Sequence, residues 1–197
     1  MLTRLSEDDV RRMLEASGAL LSGHFLLTSG RHSAQYIQCA QVLKHPRYAE
    51  ALGRALAASY ADHGIDLVVG PALGGVIIAH EVARALDTPC LFAERDANGR
   101  MALRRGFTVE RGQRVLVVED VITTGGSVRE VIDLVRDAGG EAEGVGVIVD
   151  RSGGRVDFGV PLTALLTTSI ATFTPEGCPL CAAGGVPVKP GSRKVSM

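Results

Sequence analysis

Three shortages in this sequence narrow its function before any motif is read. The first is a shortage of net charge: 21 Lys and Arg stand against 22 Asp and Glu, leaving −1 overall. So balanced a chain offers no global field for a polyanion, so no nucleic-acid partner is expected and any phosphate must be met at a local site. The second is a shortage of long apolar runs, which stay far below the roughly 20 residues needed to span a bilayer. No membrane partner is expected either. The opening residues, Met1 to Leu14, are charged and lack the apolar stretch of a secretion signal, so the expected location is cytoplasmic.

Cysteine is the third shortage. Cys39, Cys90, Cys178 and Cys181 are the four present, and a chain of this length without a secretion signal does not need disulfides. Cys178-Pro-Leu-Cys181 has metal-ligand spacing. It is the sole pair of that kind, so a zinc site would require two further ligands from elsewhere in the chain. The residues leave a plain terminal turn, a zinc site and a regulatory disulfide all open.

What is present is ordinary globular material, 46% hydrophobic and 22% charged over 197 residues, enough for one domain with a real core. Ser6 followed by Asp9 reads as a capping box opening a helix, and Pro46 suits the first turn of a second. Short apolar runs at 65–70, 89–93, 114–119, 145–149 and 162–166 read as buried strands. They alternate with helical patterns at 74–86 and 127–138, the latter carrying Val128, Val131, Ile132 and Val135 at i, i+3, i+4 and i+7. Buried strands alternating with helices predict an α/β fold, a central mostly parallel sheet flanked by helices on both faces. The expected organisation is a single domain over 1–197: helices and a capping hood in 1–60, the core sheet in 61–170, and a C-terminal extension in 171–197. Such sheets bind ligands outside the carboxyl ends of their strands.

The most informative stretch runs Val115-Leu-Val-Val-Glu-Asp-Val-Ile-Thr-Thr-Gly-Gly-Ser127. A buried strand ends on two adjacent acids, Glu119 and Asp120. After Val121 and Ile122 come Thr123, Thr124, Gly125, Gly126 and Ser127, and then a helix. Hydroxyls and close-packed backbone N–H groups at a helix N-terminus make a phosphate site, and glycine lets the backbone approach the anion. The two carboxylates cannot bind that phosphate. They suit sugar hydroxyls, a magnesium shell or a developing positive charge. No lysine stands where a Walker A loop needs one, and the acid pair stands where a dinucleotide fingerprint needs its first glycine.

This segment resembles the phosphoribosyl pyrophosphate (PRPP) signature of the type I phosphoribosyltransferases. The resemblance implies that family's fold, with a hood built mainly from the N-terminal segment. It also implies that Glu119 and Asp120 contact ribose hydroxyls, as the catalytic pair, while Thr123 to Ser127 hold the 5-phosphate, with Val121 and Ile122 inside the binding stretch. The wider chain looks most like the orotate-using branch. Phe25-Leu-Leu-Thr-Ser-Gly-Arg-His-Ser33 with Tyr36, the loop Val69-Gly-Pro-Ala-Leu-Gly-Gly-Val76, and Asp150-Arg151 resemble its early segment, its pyrophosphate loop and its acceptor arginine. A planar cation at Arg151 suits a ring carboxylate, and Thr123 is the other implied orotate contact. The pattern departs where lysines are common in the family, at Thr28, at Gly74, and in the loop 94–106, whose cations are arginines here. Arg95 is the best-matched PRPP contact there.

The activity so implied is transfer of ribose 5-phosphate from PRPP to orotate, giving orotidine 5′-monophosphate and pyrophosphate in pyrimidine biosynthesis. The resemblance adds Mg2+ as cofactor, held mainly by substrate with no protein side chain assigned to it, and a homodimer whose mobile loop reaches the neighbouring site. Two alternatives stand beside it: a purine (xanthine-type) acceptor, and a non-catalytic ligand-sensing regulator. The latter normally carries a DNA-binding module, for which no added domain or basic face is visible in this sequence.

Overall fold

The computed structural model describes residues 4–27 and 29–190; the readings that touch Thr28 and the far end of the C-terminal extension lie outside them. Chain order gives α1 (Glu7–Ala16), β1 (Leu20–Leu26), β2 (His32–Ile37), α2 (Ala40–Leu43), α3 (Pro46–Ala58) and β3 (Leu67–Pro71). There follow α4 (Gly74–Leu86), β4 (Cys90–Arg95), β5 (Met101–Leu103), β6 (Arg114–Ile122), α5 (Gly126–Asp137), β7 (Glu141–Asp150), β8 (Leu162–Thr167), β9 (Thr172–Phe173) and α6 (Pro179–Ala182). The main sheet has six strands in the order β5-β4-β3-β6-β7-β8, and every neighbouring pair is parallel except β4 with β5.

Local chemistry explains the elements. Ser6 caps α1 reciprocally: its hydroxyl accepts from the Asp9 N–H at 3.2 Å while the Asp9 carboxylate accepts from the Ser6 N–H at 3.0 Å. Pro46 opens α3 at the position where a missing N–H costs nothing. The run Val115 to Val118 is apolar throughout because both faces of β6 are covered. Val115 and Val117 join Val128, Val131, Ile132 and Val135 of α5 in one core, while Leu116 and Val118 join Leu52, Leu56, Ile78 and Val82 of α3 and α4 in the other. The strand is longer than its apolar run suggests. Glu119 to Ile122 continue it, and α5 begins at Gly126 rather than Ser127.

The smaller sheet, β1-β2-β9, is antiparallel. Its hairpin comes from the N-terminal segment, but its third strand and a bridge from Val188 to Phe25 come from beyond residue 170. Part of the loop 94–106 instead belongs to a hairpin, β4–β5, in which Arg95 pairs with Met101 and Ala93 with Leu103. Among the described residues no helix is long and apolar enough to cross a membrane.

Candidate functional site

The chain leaves β3 for β4 on one side and returns to β6 on the other, so the sheet's switch point lies between β3 and β6. Crevices at such points open at the carboxyl ends of the strands, and both sequence-marked loops are there. The loop after β3 meets the acids of β6 directly. A Cβ on Gly74 would lie 2.7 Å from Asp120 Oδ1, and one on Gly75 would lie 3.0 Å from Glu119 Oε1. A larger side chain at 74 would crowd the Asp120 carboxylate, which would have to shift.

Glu119 is buried and Asp120 half-buried. Their contacts are local: the Asp120 N–H donates to Glu119 Oε1 at 3.1 Å and the Val121 N–H to Asp120 Oδ1 at 2.8 Å. No cation among the described residues offsets either charge. Burial first, and then the Asp120 charge, lifts the Glu119 carboxyl to about 9; burial raises Asp120 as well. Two desolvated acids with no positive partner favour whatever brings hydroxyl donors or positive charge.

The turn after β6 borders a cavity of about 250 Å³ whose lining includes Glu119, Thr124, Gly125, Gly126, Ser127 and Arg95. Val121 and Ile122 border it as well, while Ile122 is buried in the core. No side chain caps the start of α5, so its first N–H groups keep their donors for an anion. Gly125 is required twice over: its φ is +76°, and a Cβ there would lie 2.6 Å from the Phe158 ring. Gly126 has no atom closer than 3.9 Å to such a Cβ. Gly125→Ala should therefore destabilise the fold by roughly 2–4 kcal/mol, whereas Gly126→Ala should change it by under about 1 kcal/mol. Urea unfolding of the two variants side by side measures both.

Arg95 lines this cavity, but its guanidinium holds Glu130 of α5 in a two-pronged pair, both contacts at 3.0 Å, and also donates to the Gly99 carbonyl. Nothing local in the sequence ties residue 95 to residue 130; the pairing exists because the β4–β5 hairpin lies over α5. Arg104 and Arg105 are similarly occupied with Glu94, at 3.9 and 3.2 Å.

A second cavity, about 760 Å³, adjoins the first through Thr123 and Thr124, which line both. Arg151 lines it from the main sheet, and Ser29, Arg31 and Tyr36 from the hairpin side. The neighbourhood of Arg151 and Thr123 follows from strand pairing: β6 and β7 align Ile122 with Asp150, and the Arg151 N–H donates to the Ile122 carbonyl at 2.9 Å. Asp150 is buried and shapes the turn, accepting from the N–H groups of Ser152 at 2.7 Å and Gly154 at 2.9 Å. Arg151 is half-buried, with Nε shielded from water and without a hydrogen-bond partner, and burial lowers its pKa. No carboxylate among the described residues pairs with it. Arg155, four residues on, also lines this cavity; no sequence motif singled it out.

Comparison with known proteins meets this geometry. The phosphoribosyl transferase domain family matches residues 38–158. The chain is 59% identical over 191 residues to the orotate phosphoribosyltransferase of Pelotomaculum thermopropionicum, covering 97% of this chain and all of that one. It is 56% identical over 190 residues to that of Caldicellulosiruptor bescii, covering 96% and 100%. The solved orotate phosphoribosyltransferase of Aeropyrum pernix superposes with a TM-score of 0.67 at 29% identity, over 80% of this chain and 93% of that one. With the acid pair at a β3–β6 switch point and an uncapped, glycine-built turn after β6, the chain belongs to the orotate phosphoribosyltransferase family of phosphoribosyltransferase enzymes.

Proposed function

We propose that this chain transfers the 5-phosphoribosyl group of PRPP to N1 of orotate, releasing pyrophosphate and forming orotidine 5′-monophosphate. The observation that carries the acceptor is Arg151: a half-buried guanidinium with a shielded, unpartnered Nε, lining a cavity that meets the anion-binding turn at Thr123 and Thr124. A ring carboxylate supplies the planar, bidentate partner that such a guanidinium needs.

In this reading the 5-phosphate sits on the N–H groups and hydroxyls of Thr123 to Ser127. Glu119 and Asp120 accept from the ribose hydroxyls. The C1–oxygen bond to pyrophosphate breaks as N1 bonds to C1 from the opposite face, the bond electrons leaving with pyrophosphate and the N1 proton passing to it or to solvent. The ring carries oxocarbenium character meanwhile, which negative charge on the acid pair favours electrostatically. Arg95 stands at the cavity's edge, where release from Glu130 would free its guanidinium for a phosphate. Magnesium fits the donor set, since hard carboxylate oxygens without a cationic partner suit it. Glu119 and Asp120 would hold it through hydroxyls or water, and when bound it supplies neutralisation of the departing pyrophosphate. A homodimer belongs to the same reading, supported by Leu73 and Ile77, two exposed apolar side chains in and just after the loop 69–76. Four cysteines outside any disulfide suit a cytoplasmic setting.

The test is a spectrophotometric assay of the purified chain with PRPP and magnesium, offered orotate, xanthine, hypoxanthine or uracil. Orotate turnover should exceed the others by at least about a hundredfold, because a site built around a charged partner rejects analogues that lack it. Comparable use of xanthine would overturn the acceptor assignment.

A further inference from the structure

The four side chains His24, His32, Cys178 and Cys181 lie outside the transfer site, and their donor atoms all fall within 4.8 Å of one another. His24 Nε2 is 3.0 Å from His32 Nδ1, 3.5 Å from Cys178 Sγ and 3.7 Å from Cys181 Sγ; Cys181 Sγ is 3.3 Å from His32 Nδ1. Hydrogen bonding does not explain this crowding. A neutral imidazole nitrogen offers one proton or one lone pair, yet His24 Nε2 faces three heteroatoms. The sulfurs are not bonded to each other. Tetrahedral zinc, with bonds of about 2.0–2.1 Å to nitrogen and 2.3 Å to sulfur, sets N···N near 3.3 Å and N···S near 3.6 Å. Those four separations sit within a few tenths of an ångström of those edges, and the other two are no longer than 4.8 Å.

We infer that these residues form a structural zinc site, Cys2His2, that clips the C-terminal segment onto the β1–β2 hairpin. Chemistry selects the ion: two sulfurs and two imidazole nitrogens, with no carboxylate, suit zinc and not magnesium. The charge balances, because zinc replaces one proton on each thiol, the two protons leave to solvent, and the dication with two thiolates and two neutral imidazoles is neutral. His32 and Cys178 are buried, so a neutral cluster avoids the cost of an uncompensated charge.

The fold brings the ligands together from three places. His24 and His32 are diagonal neighbours on one face of the hairpin, since Leu26 opposes His32. Cys178 caps, and Cys181 lies within, the single helical turn that Pro179 opens. Main-chain bonds run beside them, from the Val188 N–H to the His24 carbonyl at 2.8 Å and from the Leu26 N–H to the Val188 carbonyl at 2.9 Å. Gly185 passes so close that a Cβ there would lie 3.2 Å from His24 Nδ1. The consequence is positional. His32 adjoins Arg31, whose guanidinium donates to the Thr172 hydroxyl and carbonyl at 2.8 and 2.7 Å and which lines the larger cavity. Clipping the hairpin fixes the side of that cavity opposite Arg151.

Elemental analysis of the full, untagged chain, purified without chelator under reducing conditions, should find about one zinc per chain. Cys181→Ser and His24→Ala should lose it at least about tenfold, and Cys90→Ser should keep it. After chelation, cobalt should return the visible bands of a tetrahedral thiolate site, and thermal unfolding of the stripped chain should come on the order of 10 °C lower. None of these readings depends on turnover, so the zinc site and the acceptor assignment fail separately. A purified chain with no zinc that takes up neither zinc nor cobalt, a Cys178–Cys181 disulfide in that reduced preparation, or a different metal in zinc's place would overturn the inference. If the variants do not fold, the zinc content and cobalt spectrum of the unaltered chain decide it.

Discussion

Arg151→Ala should lower kcat/KM for orotate by about 10²–10⁴-fold, the effect of losing two charge-assisted hydrogen bonds worth roughly 3–5 kcal/mol together. The same change should leave the fold intact. Its guanidinium is half-buried, pays desolvation, and has no carboxylate partner among the described residues, so alanine removes a cost along with a binding group. Steady-state kinetics and a thermal melt on one preparation separate the two outcomes. The PRPP KM should move little, because Arg151 lines the larger cavity and not the phosphate turn's own. Arg151→Lys keeps the charge but not the fork, and should recover only part of the loss. A variant with undiminished orotate turnover would remove the guanidinium from the acceptor's recognition.

The second large effect concerns the acid pair, where activity and stability should move in opposite directions. Glu119→Gln together with Asp120→Asn should cut phosphoribosyl transfer by at least about 10³-fold, on the scale of removing preorganised groups from a charge-developing centre. Glu119→Gln alone should stabilise the folded chain. In the fold its carboxyl is raised from an ordinary 4.5 to about 9, chiefly by burial and secondly by the Asp120 charge. A folded-state pKa above the unfolded one means that the folded chain binds the extra proton between those two values. Stability from this group is whole below about pH 4.5 and is lost as pH rises toward 9. Glutamine does not titrate and its Oε1 can still accept from the Asp120 N–H. The variant should gain about 1–3 kcal/mol near pH 8 and nothing near pH 4. Urea unfolding at the two pH values checks the sign, and an equal gain at both would count against burial as the cause.

Much of this was readable in order along the chain. The capping box of Ser6 and Asp9, the helix opened by Pro46, the helix from Gly74 to Leu86 and the five parallel strands follow from local dihedral preferences and from which side chains a two-faced sheet can bury. The stretch from Glu119 to Ser127 was legible for the same reason: its acids, glycines and hydroxyls are consecutive, so one strand-to-helix turn presents them together.

Other features needed the chain to close on itself. The β4–β5 hairpin and the Arg95–Glu130 pair depend on β5 lying against α5, and no spacing in the sequence announces a contact 35 residues away. The pairing of His24 and His32 with Cys178 and Cys181 spans more than 140 residues, which is why the two cysteines alone left three readings open. The parallel strands, the main helices and the phosphate turn could be read along the chain, because they depend on neighbours within a few residues. Which distant side chains share a cavity or a metal-ligand set emerged only with the folded chain, because long-range packing and strand register, rather than local propensity, bring them within bonding distance.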